Sequence, residues 1–94
     1  MFEIQVAQGG QVRLSGRLDA AEAERARKVL QTLEGPVTFD CSGLDYISSA
    51  GIGVLIETYK RLHTAGHPLR FVQMLPRVRN IFVYAGLDRV LNIE

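Results

Sequence analysis

Apolar and polar residues alternate from the start of the chain, with Phe2, Ile4 and Val6 separated by Glu3 and Gln5. A period of two marks a strand with one buried face. Gly9-Gly10 supplies the positive φ angles of a tight turn, and Val12 and Leu14 resume the alternation, so a β-hairpin is expected. At Asp19, a suitable N-cap, the period changes. Ala23, Ala26, Leu30 and Leu33 recur at helical spacing, which predicts a helix over residues 20–33, with Glu24 and Lys28 as an i,i+4 ion pair on its outer face. Gly35-Pro36 ends it. Val37, Phe39 and Cys41 alternate as a third strand and lead into CSGLDYISSAGIGVL, residues 41–55. From that stretch grows a second helix whose apolar stripe is Ile52, Leu55, Ile56, Tyr59 and Leu62. Gly66 and Pro68 stop it. Residues 69–74 read as a fourth strand. Leu75, Val78, Phe82 and Ala85 line a third helix that Gly86 ends, and residues 90–93 read as a last short strand.

The predicted order is ββαβαβαβ in one α/β domain spanning residues 1–94. The strand–helix–strand steps call for parallel pairing through right-handed crossovers, whereas the hairpin is antiparallel, so the sheet is mixed. Strands of a sheet covered on both faces read as continuous apolar runs, and most of these alternate. Helices are therefore expected mainly on one face, with the other partly solvated.

Ninety-four residues suffice for one core and not for two. The net charge of +1 comes from dispersed residues, Arg25, Arg27 and Lys28 sharing a segment with Glu22 and Glu24, so nucleic acid is not expected as a partner. No apolar run approaches the roughly 20 residues of a membrane span. The single cysteine, Cys41, cannot form an internal disulfide and is expected as a buried core thiol, and a reduced, cytoplasmic setting is the expectation. His63 and His67 are separated by a helix stop, so no metal site is expected, and no cofactor motif appears. Arg77 and Arg79 read as a solvated face.

The serine pair carries the candidate chemistry. In open α/β sheets functional sites gather at the carboxyl ends of the strands. Asp19, residues 40–53 and residues 75–77 are expected there as neighbouring turns. Ser49 lacks the first glycine of a G-x-S-x-G elbow, and both histidines lie at the far end of the helix, so a nucleophilic serine is not supported. Gly51-Ile52-Gly53 is followed by Ile56 where a dinucleotide loop needs glycine. Two readings of the serines remain. Either serves only as a helix N-cap, or one is a phosphoacceptor at the positive end of the helix, where a dianion is tolerated.

DCSGLDYISSAGIGVL resembles the signature of STAS domains, specifically the bacterial anti-sigma-factor antagonists. GRLDA at residues 16–20 and RVRNIFVYAGLDRVLNI at residues 77–93 are similar to the family's first turn and its last helix and strand. The resemblance implies a non-enzymatic binding protein. Its unphosphorylated form would hold a serine-kinase anti-sigma factor and free the sigma factor, and a serine phosphatase would reset it. Carried onto this chain, Ser49 is the phosphoacceptor and Ser48 the second choice. Asp19, Asp40, Ser48, Ser49, Ala50, Gly51, Ile52 and Gly53 would border the partner. A monomer is expected. Many members carry Asp immediately before the acceptor, and Ser48 stands there instead, which leaves open what caps the helix. The alternative is a STAS-type subunit of another assembly, such as a lipid-transport or stress-signalling complex, in which the serine is not a switch.

Overall fold

A computed structural model describes residues 1–94. Four strands form one mixed sheet in chain order: β1 (Phe2–Val6), β2 (Gln11–Leu18), β3 (Val37–Ile47) and β4 (Leu69–Val72). A 3-10 turn at Gln8–Gly10 closes the β1–β2 hairpin, with Gly9 and Gly10 both at positive φ. β1 pairs antiparallel with β2, while β2–β3 and β3–β4 are parallel. The helices are α1 (Ala20–Leu30), α2 (Ser49–Thr64) and α3 (Pro76–Tyr84). No helix is long and apolar enough to cross a membrane.

The expected single-domain α/β architecture with a mixed sheet holds. Val12, Leu14, Val37, Phe39, Cys41, Leu69 and Phe71 are buried under the helices, whereas Gln11, Arg13 and Arg70 on the opposite face are exposed. Phe39 stacks on Phe71 across the β3–β4 pair, ring centroids 5.1 Å apart. Cys41 lies fully in this core, and burial first, then the charge of Asp40, pushes its thiol up to about 12.

β3 is much longer than its alternation suggests. Beyond Cys41 the inward residues are Leu44 and Ile47, three apart rather than two. The register shows why: Asp40 faces Arg13 and Gly43 faces Ser15, then Leu44 faces Gly16 and Tyr46 faces Arg17. At each step β3 carries one extra residue. Two such bulges let a polar, glycine-containing segment stay in the sheet while every third side chain reaches the core.

Other boundaries shift for local reasons. α1 ends at Leu30, and Leu33 reaches the core from a turn. Glu24 pairs with Arg27 rather than Lys28, and Arg27 also reaches Glu57 of α2 at 2.9 Å. The buried stripe of α2 is Gly51, Val54, Leu55, Thr58 and Leu62, with Ile52, Ile56 and Tyr59 at its half-buried margin. α3 ends before Ala85, which is exposed, and Leu87 N donates to Phe82 O around the left-handed Gly86. The expected last strand is reduced to one bridge, Ile93 beside Phe71. Residues 87–91 turn instead, with Leu91 N donating to Leu87 O and the Leu91 side chain entering the core.

Because Phe39 sits at the centre of this core, Phe39→Ala is expected to cost about 3–5 kcal/mol. Urea unfolding of the two chains measures this. A loss under about 1 kcal/mol would show that the β3–β4 stack does not hold the fold together.

Candidate functional site: the serine corner

The corner is built where β2 and β3 leave the sheet side by side. Leu18 closes β2 and Ile47 closes β3, and the two are in register. Ser48 N donates to Leu18 O at 2.9 Å, tying the start of α2 to the end of β2. Asp19, one residue on, caps α1 by accepting from Glu22 N at 3.1 Å. Two helix N-termini are thereby placed together at the carboxyl end of the sheet. The third turn joins them through Arg77 at the start of α3. Its guanidinium donates to the backbone oxygen and a carboxylate oxygen of Asp45, both at 3.2 Å.

The two serines have different places. Ser48 is half-buried, in extended conformation, and its hydroxyl accepts from Gly51 N at 3.2 Å. Its carbonyl accepts from Ile52 N at 2.9 Å. Ser48 is therefore the N-cap of α2. Ser49 is the first helical residue and exposed, and its side chain forms no hydrogen bond within the chain. Ala50 beside it is exposed too. No acidic residue stands in the first turn of α2.

The glycines of the motif also divide. A methyl group on Gly51 would stand 2.7 Å from Leu18 Cγ, 2.8 Å from Leu18 O and 2.9 Å from Ile47 Cγ1. The helix can lie this close to both strand ends only because Gly51 has no side chain. Gly53 has open space where its methyl group would go. Ile52, between them, is half-buried.

Asp19 and residues 48–53 thus come together as expected, and Asp40 does not join them. It lies within β3, opposite Arg13 and Val72, seven residues before the strand ends. At about 3.3 Å per residue that is roughly 20 Å from the corner. The extra length of β3 is the reason. There Asp40 lines a cleft of about 240 Å³ with Gln5, Ala7, Gln11, Val12 and Arg13. The Ser42 backbone N–H bonded to Asp40 at 2.9 Å holds the carboxyl below its ordinary range, with the Ser42 side chain and Arg13 adding to the effect. Reading the residues alone missed Arg17 and Tyr46. They face each other across β2–β3, the guanidinium 4.3 Å from the ring centroid, just before the corner. Nothing short of the bulged register would have paired them. His63 stacks on Tyr59 near the other end of α2.

The serine pair lines none of the three surface clefts. The exposed Ser49 hydroxyl thus stands on a capped helix start, flanked by small residues and outside any cleft.

Known proteins share this fold. The family model described as "Mlab, STAS domain" matches residues 3–92. BtrV of Bordetella bronchiseptica, a protein named as an anti-sigma factor antagonist, is 36% identical over 72 residues, or 77% of this chain. That match spans 61% of BtrV, so the chain reaches about three fifths of this relative's length. Among solved structures, an anti-sigma factor antagonist from Mycobacterium paratuberculosis has a TM-score of 0.83 at 20% identity, covering 99% of this chain and 83% of that one. The Bacillus cell fate determinant SpoIIAA in its phosphorylated form has a TM-score of 0.72 at 18% identity, covering 100% and 91%. The mixed four-stranded sheet and its three helices define a small α/β domain of the STAS type. The chain belongs to the STAS domain family, with an anti-sigma factor antagonist among its relatives.

Because Gly51 is packed against two strand ends, Gly51→Ala is expected to destabilise the fold by about 1–3 kcal/mol through overpacking. Gly53→Ala, in open space within the same helix, is expected to stabilise it by roughly 0.5–1 kcal/mol. Thermal unfolding of both variants checks the opposite signs. Equal effects would remove the close contact as the reason for Gly51.

Proposed function

We propose that this chain is an anti-sigma-factor antagonist working in the bacterial cytoplasm and switched by phosphorylation of Ser49. In its unphosphorylated form it binds a serine-kinase anti-sigma factor through the corner formed by Asp19 and residues 48–53, releasing the sigma factor. The kinase phosphorylates Ser49 and ends the complex, and a serine phosphatase restores it. The observation that carries this reading is the division of the serine pair: Ser48 caps α2, leaving the exposed Ser49 hydroxyl uncommitted.

Electrostatics supports the direction of the switch. A phosphoserine adds about −1.5 to −2 charges. At the first position of α2 that charge meets the positive end of the helix, a gain of roughly 0.3–1 kcal/mol, with no carboxylate in the same turn to oppose it. The modified domain keeps its fold. A partner surface seated on the corner must instead desolvate the dianion. A penalty of about 2.7–4.1 kcal/mol corresponds to roughly 100- to 1,000-fold weaker binding.

The test is binding of the cognate kinase-type partner, with intact-mass analysis after ATP. Ser49→Ala is expected to bind and take no phosphate, and Ser49→Asp to lose affinity. Ser48→Ala should still accept phosphate while losing about 1 kcal/mol of stability as a missing cap. If phosphate is never added, or if it goes to Ser48, the switch assigned to Ser49 is wrong. If phosphate is never added, or if Ser49→Asp binds unchanged, the chain would act instead as an interaction subunit of another assembly.

A further inference from the structure

The two edges of the sheet are finished differently. At β4, Phe71 N donates to Asn92 O and Phe71 O accepts from Glu94 N, so the C-terminal segment covers that edge. At β1 the register leaves the edge open. Bonds from Ala7 N to Gln11 O and from Arg17 N to Met1 O bracket the hairpin. Bonded residues alternate along an antiparallel pair. With Phe2 opposite Gly16 and Val6 opposite Val12, Glu3 and Gln5 turn their backbone groups toward β2. Phe2, Ile4 and Val6 therefore turn theirs outward.

One end of this edge is guarded. Arg25 of α1 donates to Phe2 O, and its guanidinium lies 5.7 Å from the Phe2 ring centroid. The outward N–H and C=O groups of Ile4 and Val6 have no partner in the chain. Their side chains share the helix-covered side with Val12 and Leu14, yet Val6 is 57% exposed and Ile4 only half-buried. Glu3 is the strand's only charge, and β1 has no Lys, no Pro and no bulge to blunt a free edge.

We propose that this edge pairs with β1 of a second copy of the chain, antiparallel about a two-fold axis at Gln5, joining two four-stranded sheets into one. In that register Ile4 of each copy stands opposite Val6 of the other, so the four open backbone groups of one strand meet the four of its mate. Val6 gains apolar cover from Ile4. Gln5 faces Gln5 and Glu3 faces Ala7, so no like charges are opposed. Arg25 at Phe2 disfavours a slide that would bring Phe2 opposite Val6. This self-matching of bonds, apolar side chains and charge selects a second copy over an unrelated strand, and a dimer takes the place of the monomer expected from the sequence. The inference is independent of the function proposed for Ser49.

The register gives a direct test on the full chain. Gln5 and its mate form a non-hydrogen-bonded pair, whose Cα atoms lie about 4.5 Å apart in antiparallel sheets. That falls within the roughly 4.4–6.8 Å that a disulfide spans. Under mild oxidant Gln5→Cys should give a covalent dimer, at least about tenfold more than Glu3→Cys. Buried Cys41 should not compete. Val6→Pro removes only an outward N–H, which an edge strand tolerates, and should raise the dimer dissociation constant at least about tenfold in sedimentation equilibrium. Equal cross-linking of the two cysteine variants, a wild-type chain that stays monomeric to about 1 mM, or an unchanged dimer in Val6→Pro would each overturn the proposal.

Discussion

The corner depends on the seam between the end of β2 and the start of α2. One backbone hydrogen bond, Ser48 N to Leu18 O, fixes where the chain leaves β3. Such a bond contributes only about 0.5–1.5 kcal/mol net, but its geometric consequences are larger. It sets Ser48 in the extended conformation of an N-cap and brings Gly51 onto Leu18 and Ile47. The helix is thereby turned so that Gly51, Val54, Leu55 and Thr58 face the core. Ser49 and Ala50 are left outside. Exposure of the serine follows from the packing of its neighbours.

The same seam gives the two serines different surroundings. The hydroxyl that holds the helix start belongs to Ser48, and the hydroxyl free to react belongs to Ser49. A serine cap also leaves the first turn without the negative charge that an aspartate cap would bring. Phosphate at Ser49 would therefore meet the helix dipole with one fewer opposing charge. Arg17 on Tyr46 and Arg77 on Asp45 hold the segment just before the cap from two sides.

Most of the architecture was legible in the sequence because its periods are plain. Phe2, Ile4 and Val6 report a strand, Ala23, Ala26 and Leu30 a helix, and Asp19 an N-cap that the structure contains. Legibility failed where the period changed. The bulges space Cys41, Leu44 and Ile47 by three, so residues 41–47 resemble a loop while remaining strand. That misreading carried Asp40 into the site, whereas the added strand length puts it near the hairpin end. The mostly apolar residues 90–93 suggested a strand because pattern cannot tell that Leu91 is needed in the core at the end of a turn. For the serines, neighbouring residues left the cap undecided, and only the distance from Ser48 Oγ to Gly51 N settles it.

Phosphate on Ser49 is proposed to change one surface and leave the fold alone. Amide NMR spectra of the chain before and after enzymatic phosphorylation test it most directly. Shifts are expected only at residues 48–53 and at Asp19 and Ala20 across the seam, with the core amides of Phe39, Leu44 and Phe71 unmoved. Shifts spreading through β3 and β4 would contradict it, because the serine would then act by rearranging the domain.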